Sequence, residues 1–117
     1  MTEYNALISI SSLPSLESFD SVVKAEHRKI HDGDQLIVFF RNSYGASVVR
    51  HSYSYGGTEG FYELAVIREP ESEDEEFVID YDTSLGCDVI GWLDGQEVVD
   101  KLKEIQSFPN YAIKINV

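Results

Sequence analysis

Two histidines four residues apart, His27 and His31, followed closely by Asp32 and Asp34, are the first residues in this chain that offer a chemistry. On a helix such a pair turns two nitrogens to one side, and nearby carboxylates could complete a zinc shell. No cysteine or third histidine lies close by in sequence, and His27, Arg28 and Lys29 equally suit a helix C-terminus, where the dipole favours positive charge. No metal site is expected. Asp80-Tyr81-Asp82-Thr83-Ser84 sets two aspartates at a strand end, as phosphatases do, but the chain is too short for that fold. As a calcium loop the same stretch has Leu85 where glycine is needed and Gly91 where glutamate is needed. Gly56-Gly57-Thr58-Glu59-Gly60 lacks the Lys-Ser/Thr of a phosphate loop, and Glu59 would oppose a phosphate. Cys87, the only cysteine, has no local His and Asp to make it a nucleophile. Ser52-Tyr53-Ser54-Tyr55 offers two exposed aromatics for a contact surface, or plain strand residues with one ring on each face. These residues predict a protein without catalytic machinery, cofactor or metal.

Charge is the stronger signal. Residues 1–58 carry six acids and five Lys or Arg, whereas residues 59–117 carry fifteen acids and four. From Glu69 to Asp100 there are twelve acids and no Lys or Arg, within a net charge of −12. Such a surface repels nucleic acid and anionic membrane and attracts basic proteins. The candidate partner-binding residues are therefore Glu69, Glu71, Glu73, Asp74, Glu75, Glu76, Asp80 and Asp82, with Asp88 and Asp94 extending the surface. The alternative is a solvated loop that aids solubility. The N-terminus is polar, the longest apolar run is Leu36–Phe40, and a lone cysteine fits a reducing compartment, so a cytoplasmic protein is expected.

The elements that must position these groups follow from periodicity. At 117 residues the chain is one domain. Residues 4–10 alternate and predict a strand. Ser12 and Pro14 then suit a helix start, and Leu16, Phe19, Val22, Val23 and Ile30 follow at roughly helical spacing, predicting a helix over 14–29 that ends at Asp32-Gly33-Asp34. Residues 35–41 and 45–53 predict a hairpin joined through Asn42-Ser43-Tyr44-Gly45. Gly56–Gly60 is a loop, and residues 61–67 and 77–81 are strands. Between those strands Pro70 and the mutual repulsion of like charges make residues 69–76 an exposed loop. Asp94 and Glu97 resemble a capping box, and Val98, Val99, Leu102 and Ile105 form one stripe, predicting a helix over 95–106. Residues 111–117 alternate as a last strand, expected to pair with 4–10. The order is β-α-β-β-β-β-α-β, an α+β fold with an antiparallel sheet and two helices on one face. With residues 61–81 set aside as an inserted strand pair, the order is ferredoxin-like.

Residues 41–108 also carry a pattern that resembles small acidic bacteriophage and prophage proteins of unassigned activity. Its parts are Tyr44-Gly45-Ala46-Ser47-Val48-Val49, Ser54-Tyr55-Gly56-Gly57 through Val66, and Tyr81-Asp82-Thr83 followed by Asp88-Val89-Ile90-Gly91-Trp92-Leu93. Residues 1–40 are additional to that pattern, and the 69–76 tract is longer and more acidic. The resemblance implies a phage-type context, in which small acidic proteins often block host CRISPR nucleases and restriction enzymes. The expectation is a non-enzymatic binding protein that inhibits a host nucleic-acid-binding protein by occlusion or DNA mimicry. The alternative is a phage accessory or structural module with no inhibitory role.

Overall fold

Leu36-Ile37-Val38-Phe39-Phe40 has no polar residue to turn to water, so a strand made of it needs cover on both faces. The computed structural model, which describes residues 19–83, 85 and 89–111, places that strand inside an antiparallel sheet. The strands are β1 (Val22–Ile30), β2 (Gly33–Phe40), β3 (Tyr44–Arg50), β4 (Tyr62–Arg68), β5 (Val78–Ile79) and β6 (Ile90–Leu93). The first four form a meander with neighbours in sequence order. β5 and β6 both pair with β4, β5 at Ile67 and Arg68 and β6 at Tyr62 and Leu64, so together they form one interrupted return strand. The one helix among the described residues, α1 (Gly95–Gln106), follows β6.

The two faces differ in what covers them. On the first face, Ala25, Leu36, Val38, Phe40, Ala46, Val48, Leu64 and Val66 pack with Val98, Val99, Leu102 and Ile105 of α1. Each side chain fully buried there contributes roughly 1.5–3 kcal/mol. The start of α1 is set by a capping box, with the Glu97 amide donating to Asp94 Oδ1 at 2.8 Å and the Asp94 amide to Glu97 Oε1 at 3.1 Å. On the second face, Ile37, Phe39 and Ile67 form a smaller cluster, closed by Phe77.

The capping box, the buried stripe of α1 and the four strands from residue 33 to residue 79 agree with the sequence pattern. The predicted helix over 14–29 does not hold in its described part, since residues 22–30 are strand β1. Val22, Val23 and Ile30 mimic helical spacing, but only Ala25 of this strand is fully buried. An edge strand with one small inward residue leaves little alternation to detect. Pairing with β2 decides its state, running from Val22 opposite Phe40 to Ile30 opposite Gly33. His31-Asp32 is therefore the loop of a two-residue hairpin, not a helix stop, and His31 takes its left-handed position at φ 54°. The order is β-β-β-β-β-β-α over the described residues, which removes the ferredoxin-like arrangement and its two-helix layer. β3 also ends at Arg50, earlier than expected, and frees residues 51–55 for a loop. Of the expected pairing of 4–10 with 111–117 only Tyr111 is described, and it is not in a strand; the rest lies outside the described residues.

Candidate functional site

The acidic tract leaves the sheet at the C-terminal end of β4. Its path is held at both ends. The Glu69 amide donates to the Ser43 carbonyl at 2.9 Å, and Glu76 is ion-paired with Arg28 on β1. Hydrogen bonding to Glu76, then to Glu26, raises Arg28 above its ordinary pKa, and the bond from Arg28 lowers that of Glu26. Phe77 then turns inward onto Ile37, Phe39 and Ile67. Arg28 lies opposite Gln35, on the face of Ile37 and Phe39, so these contacts carry residues 69–77 across the second face of the sheet. Between the anchors, Ser72 accepts from Glu75 and Asp74, and residues 71–76 are all exposed.

The ten acids singled out in the sequence are not one surface. Glu69, Glu71, Glu73, Asp74 and Glu75 are exposed on the tract, with Glu71 3.9 Å from Arg68. Asp80 is drawn in, its side chain 7% exposed and 3.5 Å from the Arg68 guanidinium. Asp82 is exposed, its amide donating to Asp80 Oδ1. Asp94 caps α1 beyond Leu93, which pairs with Tyr62 at the start of β4. It is therefore separated from Glu69 by the seven residues of β4, about 20 Å of strand. Asp88 lies outside the described residues.

The opposite end of the sheet is aromatic. The loop from His51 to Phe61 joins β3 to β4 and leaves Tyr53 79% exposed and Tyr55 61% exposed. Trp92, 56% exposed, stands beside Tyr55 at φ 59° and donates its amide to the Tyr55 carbonyl at 3.3 Å. A positive φ on so bulky a residue costs of order 1–3 kcal/mol and persists only where the surroundings hold it. Two glycines supply that hold. A Cβ at Gly91 would come within 2.4 Å of Tyr55 Cβ, and one at Gly56 within 2.9 Å of Phe61 and the Trp92 ring. Phe61 and Trp92 lie 5.9 Å apart between ring centres. On the other side of the loop His31 packs against His51 at 4.8 Å and Tyr53 at 5.1 Å.

An open cleft of about 330 Å³ next to these rings is lined by Asp32, Asp34, Arg50, His51, Ser52 and Thr58. The Thr58 hydroxyl donates to Glu59 at 3.3 Å, the Ser54 hydroxyl to the His51 carbonyl, and His51 Nδ1 accepts the Tyr53 amide. Arg50 lies over the Tyr62 ring. His27 Nε2 and Lys29 Nζ lie 2.7 and 3.0 Å from the same Asp34 oxygen. Among the described residues no three His, Cys, Asp or Glu side chains converge to hold a metal. Gly56–Gly60 is a tight turn around a short 3-10 segment, and Cys87 lies outside the described residues.

Comparison with family models, curated proteins and solved structures gives no match. No described helix is long and apolar enough to cross a membrane. Sequence reasoning singled out Tyr53 and Tyr55 but missed Phe61 and Trp92 beside them. The available signal was glycine next to aromatic residues at Tyr55-Gly56, Gly60-Phe61 and Gly91-Trp92, since glycine permits close approach.

Proposed function

We propose that this chain is a non-enzymatic binding protein that occupies a basic, nucleic-acid-handling surface of a partner protein. The carrying observation is that Glu71, Glu73, Asp74 and Glu75 are exposed on a loop anchored at both ends by Ser43, Arg28 and the Phe77 cluster. A tethered loop loses less freedom on binding than a free one, so its charge is partly preorganised. Six acids in the eight residues Glu69–Glu76 amount to about one charge per ~4 Å of extended chain, against ~3.4 Å along one DNA strand. Capture of a cationic groove by such a loop releases counterions as DNA does. The resemblance of residues 41–108 to phage proteins points to a host CRISPR or restriction enzyme as the partner, blocked by occlusion. A second reading, an accessory or structural module, draws on Phe77, which gives the same loop a covering task on the sheet.

The test neutralises Glu71, Glu73, Asp74 and Glu75 to the corresponding amides and leaves Glu76, which holds Arg28, untouched. Wild type immobilised at low salt is expected to capture a nucleic-acid-binding protein from bacterial lysate. The variant should keep or raise its melting temperature and bind about 1–3 kcal/mol more weakly, taking exposed pairs at under ~1 kcal/mol each. Equal capture by both chains would leave the tract as a cover only.

A further inference from the structure

The aromatic end lies a full strand length from the tract and has a chemistry of its own. Tyr53, Tyr55 and Trp92 present ring surface to solvent, and Phe61 backs the Trp92 ring. An isolated exposed ring is ordinary, but here three cluster around one loop. Two close glycines and a backbone bond to Tyr55 hold Trp92 in place. The segments that carry them hold charge of one sign. Segments 31–32, 51–61 and 91–94 contain Asp32, Glu59 and Asp94 and no Lys or Arg. Glu63 reaches into the loop to accept the Tyr55 amide at 3.1 Å. Arg50, next to the loop in sequence, lies over Tyr62. Ring faces attract cations through their quadrupole, and carboxylates add a long-range pull. A guanidinium suits such a surface better than an ammonium, because it is planar, stacks on rings and is weakly hydrated.

We propose that the loop surface formed by Tyr53, Tyr55 and Trp92 docks an arginine-bearing segment of a basic protein. The proposal rests on the reading of this chain as a binder of basic partners, but it assigns the contact to the end opposite the tract. Arginine stacks on the rings, while Glu59 and Asp94 draw the segment in and do not pair with it one to one.

Trp92 is the only tryptophan, so its emission reports this surface alone. The intact chain is titrated with the capped peptide Gly-Arg-Gly-Arg-Gly, with its lysine counterpart, and with a neutral maltohexaose. The arginine peptide is expected to shift or quench Trp92 emission saturably, at about threefold or lower concentration than the lysine peptide. Replacing Tyr53 and Tyr55 together by alanine should weaken the response about tenfold, whereas phenylalanine at both positions should retain it. Both side chains are exposed, and an unchanged melting temperature confirms that the variants fold. The tract variant described above should keep the response. Equal lysate capture by wild type and the tract variant, with the peptide response intact, would sink the tract reading alone. No emission change with the arginine peptide, equal response to both peptides, an unaffected alanine variant, or a response to maltohexaose only would overturn the arginine site.

Discussion

Asp34 sits between two bases in the hairpin that joins β1 to β2. His27 Nε2 is 2.7 Å and Lys29 Nζ 3.0 Å from the same carboxylate oxygen. Burial pushes this carboxyl up, but the hydrogen bonds from Lys29 and His27 outweigh it and hold Asp34 below its ordinary pKa. A depressed carboxyl stabilises the fold fully above its unfolded pKa of about 4, and that contribution is lost as pH falls through the lower folded value. Urea midpoints should therefore hold steady with respect to this group near neutrality and fall below about pH 4. Asp34→Asn should cost about 1–2 kcal/mol at pH 7 and flatten that acid limb, the figure being discounted because Lys29 is largely exposed. If the D34N chain loses stability in acid as steeply as wild type, the acid sensitivity belongs to other carboxylates. Asp32 is also held low, by the backbone hydrogen bond from Ser52, but it is fully exposed and adds little.

Asn42 ties the sheet to the helix. It is 8% exposed, and its side-chain amide donates to the carbonyls of Ile105 and Phe108 at 2.8 and 3.0 Å while its oxygen accepts the Tyr44 amide. The last carbonyls of a helix have no partners within it, so this residue of the β2–β3 turn satisfies groups at the end of α1. Asn42→Asp removes the donor and turns a carboxylate on two carbonyls. It should cost about 2–4 kcal/mol in urea unfolding, more than Asp94→Ala, which removes only an exposed cap worth about 1 kcal/mol. Equal losses for the two would deny Asn42 this role. The contrast also shows what a sequence can reveal. The capping box and the stripe Val98, Val99, Leu102 and Ile105 are local, and periodicity exposes them. That Asn42 lies in a turn is local too, but its bonds to residues 63 and 66 positions away are not. β1 was hidden for a similar reason, since its partner strand, not its own pattern, makes it a strand. The tract's exposure was legible from its charge, whereas its anchoring through Arg28 and Phe77 depends on a sheet whose first strand was read as helix. The Tyr53–Trp92 contact surface joins segments that only the return of β6 along β4 brings together.

The whole molecule carries a net charge of −12, and its carboxylates repel one another wherever they are not paired. Added sodium chloride screens that repulsion, with a Debye length near ~3 Å at 1 M. The melting temperature should therefore rise by roughly 2–5 °C between low and molar salt, as for a stabilisation of about 0.5–1 kcal/mol in a domain of this size. A fall would show that ion pairs such as Arg28–Glu76 and Arg68–Asp80 outweigh the repulsion. The same tract bears on a different hazard. Leu36–Phe40 is an uncharged run of aliphatic and aromatic side chains, the composition from which fibrils are seeded. β1 and β3 occupy its two hydrogen-bonding edges, and on the second face Phe77 closes over Ile37 and Phe39 beneath a row of carboxylates. If that cover lifts, a second molecule approaching the bared strip meets its own acidic charge first. Self-association is thus opposed electrostatically at the one place where the sequence most invites it.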